Sequence, residues 1–377
     1  MKKLFAIIFL VTPCFASGPK QIGSTVDPAI YREFVDVYQE VSNPNINIGT
    51  ASTMTVTYLN VSSITLNGVN LGGSSAVGTN ILINGGFEIW QRGTSFSAPA
   101  SAAYLSDRWK IDTSESANVT VTKETSVLDA VGLASMKVVI TSAGASKYWL
   151  VQQNIENFAD YRGKTVTVSV RVNTSIASAV RVAIGDSAAS ASSSFHTGGG
   201  GWETLSVTFT VDAAATAMAV TVGMTTAGDK KNGTYYFDNA MLTVGSSVAS
   251  FVSTDPALDF ARCQRYYFKT FDIGTTPAQN SGTNIGALAY TVRTTGVFND
   301  STNLTYPVKM RIVPTITTYS PVAASAAWGN ASTAGASGAA TVLSNSSTRG
   351  VDIRNAQAAG DLAGQLVTIH VSADAEM

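Results

Sequence analysis

Tyr148, Trp149, Gln152 and Gln153 put two aromatic rings and two amides into one short apolar run. Flat rings suit the apolar side of a pyranose and amides suit its hydroxyls, so the pattern points to carbohydrate recognition. On a strand, neighbouring residues face opposite ways. Either Tyr148 with Gln152 or Trp149 with Gln153 can therefore line a cleft, and the other set packs inside. Trp202, beside the glycines at 198–201, and Trp90 complete the candidate set, with core or interface packing as the competing reading for each. Glu88 and Asp238 carry a second chemistry. Paired carboxylates can run a glycosidase or form a hydrogen-bonded structural pair, and a carboxylate beside a turn such as Asn84-Gly85-Gly86 suits a hard cation.

Other chemistries are poorly supplied. The chain has 2 histidines, His196 and His370, which argues against a His-based triad or a His-rich zinc site. The glycine run lacks the Lys and Ser/Thr of a phosphate loop and reads as a loop. Only 13% of residues are charged and the formal net charge is −1, so neither a nucleic-acid footprint nor a polybasic membrane patch is expected. Apolar residues make up 45% of the chain, much of it Ala and Val diluted by Ser, Thr and Gly, a mixture that fits β-sheets.

The elements that must hold these residues are strands. Segments 136–140, 148–155, 163–172, 179–184, 203–211 and 218–224 alternate with period two and are separated by Gly-, Ser- or Asp-rich turns, as a two-sheet sandwich requires. Ile81 and Ile83 alternate with polar neighbours as on a half-buried strand. A length of 377 residues leaves room for two globular units and accessory segments.

Residues 1–18 combine Lys2 and Lys3 with an apolar run and small residues, the pattern of a secretory signal peptide or a retained hydrophobic anchor; the run is too short for a stable membrane span. Cleavage would remove Cys14 and leave Cys263 alone, without an intrachain disulfide. In 19–45, Asp27-Pro28 caps a helix whose Ile30, Phe34, Val37 and Val41 form a short heptad seam. Residues 46–79 read as thin, turn-punctuated β segments and a flexible linker. Asp255-Pro256 starts another short helix, and residues 323–348 read as exposed loops.

The segment at 80–93, with Asp107-Arg108-Trp109, the Gln-bearing strand and the closing Phe237-Asp238-Asn239, resembles carbohydrate-binding modules of the family 4/9 jelly-roll type, in the version found in bacteriophage tail-fibre and other virion proteins. Arg262-Cys-Gln-Arg-Tyr-Tyr267 is similar to a junction in phage tail proteins. The resemblance implies an all-β fold: a jelly-roll at 80–252, a smaller β-sandwich tip at 253–377, and before them the helix and a trimeric shaft. It implies that Glu88 and Asp238 share a structural Ca²⁺, with a hydrogen-bonded pair and catalysis as the other readings. Trp109 is assigned to the core, with Asp107 and Arg108 pairing locally. The expected role is non-enzymatic: a homotrimeric virion component attaching to a cell-surface glycan. A secreted bacterial or prophage-derived adhesin is the alternative, and a glycan-degrading enzyme or its accessory module the third reading.

Overall fold

The structure, a computed structural model, describes Thr65, Leu66, Val69, Asn70 and residues 79–377, apart from 143–146, 225–230, 296–298 and 357–360. The signal sequence, Cys14, the helix region 19–45 and most of the expected shaft lie outside the described residues. The chain divides into two units, Met1–Ser62 and Ser63–Met377, and every described residue belongs to the second. Its first strands, β1 (Thr65–Leu66) and β2 (Val69–Asn70), pair antiparallel.

Eleven strands build a sandwich: β3 (Ser95–Ser97), β4 (Lys110–Thr113), β5 (Val119–Glu124), β6 (Ser135–Ile140), β7 (Trp149–Asn154), β8 (Thr165–Asn173), β9 (Arg181–Asp186), β10 (Ser190–Ser192), β11 (Trp202–Thr210), β12 (Met218–Met224) and β13 (Gly233–Val244). One sheet has the order β10-β9-β12-β7-β4 and the other β11-β8-β13-β6-β5-β3. From β6 to β13 the order is the double Greek key of a jelly-roll, so successive strands cross between sheets and each sheet is antiparallel. The alternation is the cause. Val166, Val168, Val170 and Val172 of β8 turn inward against Val182 and Ile184 of β9 and Val220 and Val222 of β12. Each such side chain contributes about 1.5–3 kcal/mol when fully buried.

Residues 80–84 depart from expectation. Leu82, not Ile81 or Ile83, is the fully buried residue, and the segment is no ladder strand. Side chains replace the ladder: Asn80 Nδ2 donates to Ala240 O (2.9 Å) and Asn80 Oδ1 accepts from Leu242 N (3.0 Å). Gly85 is required where the chain passes β13, because a Cβ there would lie 2.2 Å from Ala240 O.

Helix α1 (Pro256–Gln264) follows, capped by Asp255 as the sequence predicts. Strands β14 (Tyr267–Lys269), β15 (Leu288–Thr291), β16 (Asn299–Thr305), β17 (Thr315–Tyr319), β18 (Ala327–Asn330), β19 (Gly335–Val342), β20 (Gly350–Ala356) and β21 (Leu366–Asp374) then form a second, curled sheet around its own core of Trp328, Val351, Ile353, Val367, Ile369 and Val371. Strand β21 is its axis, pairing with β14, β15, β17 and β18. The expected loop at 323–348 is corrected: it contains β18 and β19. Its small residues reflect close strand approach, since a Cβ on Gly338 would lie 1.6 Å from Ala356 O.

A second correction concerns Asp107 and Arg108, which do not pair with each other. Arg108 takes a left-handed backbone (φ 71°), and its guanidinium pairs with Glu376 and stacks 3.5 Å over Tyr266. Asp107 instead accepts from Gln91 Nε2 (2.7 Å) and faces Arg92 (3.6 Å), which also reaches Asp374 (3.2 Å). Burial pushes the Asp107 carboxyl up to about 6 against the pull of Arg92 and Gln91. Trp109, as expected, is fully buried.

Candidate functional site

Strand β7 carries Trp149, Gln152 and Gln153, with Tyr148 just before it, and the alternation separates them. Trp149, Val151 and Gln153 face the core. Trp149 packs on Tyr235 (4.9 Å between rings) and Phe237 (6.0 Å). Gln153 is spent on the backbone: its Oε1 accepts from Ile83 N and its Nε2 donates to Ile83 O, both at 2.8 Å. Trp90 is equally buried, with Nε1 donating to Phe87 O (2.6 Å). Trp149, Gln153 and Trp90 are therefore corrected from ligand-facing to interior residues, because a ring or amide without solvent access offers nothing to a sugar.

Tyr148 and Gln152 lie on the other side. Cross-strand register places Lys110, Gln152, Thr221 and Ala183 in one row on the outer face of the five-stranded sheet, and Asp112, Leu150, Gly223 and Arg181 in the next. Ala183 and Gly223 are buried and the others half-buried, and Tyr148 follows in the next position along the same side, opposite Ser114, with its hydroxyl 3.3 Å from Asp112 Oδ1. The negative charge of Asp112 raises the Tyr148 hydroxyl above its ordinary range, so the phenol stays protonated. Gln152 Nε2 donates to Asn154 Oδ1 (2.5 Å), and Arg181 lies 5.0 Å over the Phe195 ring at the far edge. The face thus offers amides, a carboxylate and two cationic side chains between edge aromatics. Sequence reasoning missed Lys110, Asp112, Asn154 and Arg181. Asn154 shares the period of Gln152 and could have been found, whereas the others join the site only through cross-strand pairing.

Trp202 is on the opposite sheet, so it shares no cleft with Tyr148 and Gln152. It is half-buried at the start of β11, opposite Asn173.

Glu88 and Asp238 share no hydrogen bond among the described residues, and the link between them is electrostatic: the charge of Glu88 acts on the Asp238 carboxyl. Asp238 is fully buried beside a bulge in β13, where register shifts and Asn239 takes φ 49°. Its Oδ2 accepts from Asp129 N (3.1 Å) and its Oδ1 from Asn239 N (2.7 Å). Burial pushes the Asp238 carboxyl up to about 7; those two hydrogen bonds oppose the shift, and the charges of Asp129 and Glu88 add to it. Asp129 itself is held below its usual range despite burial, because Arg171 and Asn239 donate to it. Asn239 Oδ1 is left buried without a hydrogen-bond partner. Among the described residues no group of three or more His, Cys, Asp or Glu side chains is gathered as a metal-ligand set. A cation here would need Asn239 and backbone carbonyls beside the carboxylates, and an orphaned oxygen next to an under-neutralised carboxylate fits a hard ion.

Glu88 also lines an open cleft with Asn80, Phe251, Thr254 and Asp259. Among the described residues no helix is long and apolar enough to cross a membrane.

No protein-family model matches the chain, and no curated protein matches its sequence. Solved structures similar to it include the enzymatically active domain of tailspike protein 4 of bacteriophage CBA120 (12% identity, TM-score 0.33, 44% of this chain and 21% of that one). Others are TmCBM61 in complex with β-1,4-galactotriose (16%, TM-score 0.31, 44% and 99%) and the CBM22-1 xylan-binding domain of Paenibacillus barcinonensis (12%, TM-score 0.28, 46% and 100%). The chain spans about a fifth of the tailspike's length, 21%.

Proposed function

We propose that residues 80–252 are a non-catalytic carbohydrate-binding module whose ligand lies across the outer face of the five-stranded sheet. The observation that carries this reading is the pair of in-register rows holding Lys110, Gln152, Asp112 and Arg181, with Tyr148 at the edge. A sugar ring stacks on Tyr148 while its hydroxyls meet Gln152, Asn154 and Asp112. Affinity chromatography on immobilised galactan and xylan, followed by a wider glycan array, tests it. Retention that survives both Tyr148→Ala and Gln152→Ala contradicts this face. Reducing-sugar release that disappears in Glu88→Gln would make the protein an enzyme instead.

In this reading the whole chain is a virion fibre or tail-type component that attaches to a host-surface glycan, with three copies turning weak sites into avid binding. A secreted adhesin is the alternative, and it rests on the signal-like residues 1–18. Solution mass and protein identification in purified particles separate the two: a monomer contradicts the trimer, and recovery only from culture medium favours the adhesin.

Calcium belongs to the same proposal. Glu88, Asp238 and Asn239 would hold it, and its charge would supply the neutralisation that Asp238 lacks. Its role is structural, tying the 84–88 turn to β13. A thermal midpoint unmoved by chelator contradicts it.

A further inference from the structure

Five tryptophans occur in the chain. Trp90, Trp109, Trp149 and Trp328 are fully buried, and Trp202 alone keeps solvent exposure. Its surroundings on the six-stranded sheet are specific. Register aligns Trp202 with Asn173, Asn173 with Tyr236, Tyr236 with Lys137 and Lys137 with Thr122, one outward-facing row across five strands. At one end of this face the chain returns over it, with Thr167 donating to Gly245 O (2.7 Å) and Thr208 to Ser246 O (3.5 Å). Beside the row, Asp129 closes over Arg171 (2.8 Å). The row itself stays half-buried but open.

We propose that Trp202, Asn173, Tyr236 and Lys137 form a second carbohydrate-binding surface, on the opposite side of the jelly-roll from the first. Trp202 and Tyr236 stand two strand spacings apart, roughly 10 Å, so two flat faces are presented along one line with an amide between them. Neither the Trp202 indole N–H, the Asn173 amide nor the Tyr236 hydroxyl hydrogen-bonds to another described residue. Lys137 lies 5.8 Å from the Tyr236 ring and 3.7 Å from Glu124, so its charge is already balanced and the ligand need carry none. An apolar partner would leave these polar groups unpaired, at a cost. A saccharide supplies apolar ring faces for the two aromatics and hydroxyls for the amide, indole and phenol.

The test is an array of immobilised oligosaccharides probed with the intact chain and with Trp202→Ala, Tyr236→Ala and Gln152→Ala, each checked for an unchanged thermal midpoint. The expected result is a group of glycans whose signal falls about tenfold or more in Trp202→Ala and in Tyr236→Ala and persists in Gln152→Ala. The same glycans in solution should shield the exposed indole from acrylamide quenching. The proposal is overturned if Trp202→Ala and Tyr236→Ala reproduce the wild-type pattern, or if no glycan binds. It is also overturned if those variants change only the mass of the protein in solution, which would make the row a contact between copies. Loss confined to Gln152→Ala likewise overturns it, because all binding then belongs to the first face.

Discussion

The two sides of strand β7 differ in everything except their backbone. Inward, Trp149 packs on Tyr235 and Phe237 and Gln153 clamps the backbone of Ile83. Outward, half-buried Gln152 donates to Asn154 two residues along the strand and Tyr148 meets Asp112. The same residue types therefore do opposite work one position apart. An aromatic ring or an amide one position from a solvent-facing residue is as much a structural fastener as a surface group, and register decides which.

The inward side can be broken hardest. Trp149→Ala should cost about 3–5 kcal/mol in denaturant unfolding. Trp149→Phe should cost much less, because the Trp149 Nε1 is buried with no hydrogen-bond partner to lose. Equal losses would mean that the ring does not sit in the core as described.

Buried charge gives the next effect. Asp238 binds its proton up to about pH 7 in the folded chain, above the ordinary carboxylate range of the unfolded one. The folded state thus holds more protons between about pH 4 and 7, so without a cation its stability falls as pH rises through that window, by on the order of a few kcal/mol. Calcium should flatten the slope and raise the thermal midpoint more at pH 8 than at pH 5. An identical slope with calcium and with chelator would remove the ion from the account.

Gln153→Ala leaves Ile83 N and O without their partner and should cost about 1–3 kcal/mol. The smallest stability effect belongs to the outward neighbour: Gln152→Ala should change unfolding by less than about 0.5 kcal/mol. Similar costs for the two glutamines would erase the contrast between the faces.

Much of this was legible in the residues. Period-two runs matched β6, β7, β8, β9, β11 and β12, and the Asp255-Pro256 cap matched α1, whereas β3, β4, β5 and β10 went unseen. Alternation on β7 also showed that Tyr148 with Gln152 and Trp149 with Gln153 must part. Which pair turns inward depends on β13 and on Ile83, which reach β7 only in the folded chain. Likewise Asp107 and Arg108 look like a local pair, yet Asp107 meets Arg92 from the segment before β3, and Glu376, the partner of Arg108, is brought by the segment after β21. The small residues of β18 and β19 read as loop because composition does not reveal that strands approach too closely there for larger side chains.

The outer face of the five-stranded sheet is the centre of the functional account, and glycan retention measured side by side for the intact chain, Tyr148→Ala, Gln152→Ala and Gln153→Ala tests it most directly. The account predicts that Tyr148→Ala and Gln152→Ala weaken binding about tenfold or more with unchanged folding, while Gln153→Ala loses stability and keeps affinity in its folded fraction. Full retention by Tyr148→Ala and Gln152→Ala would contradict it.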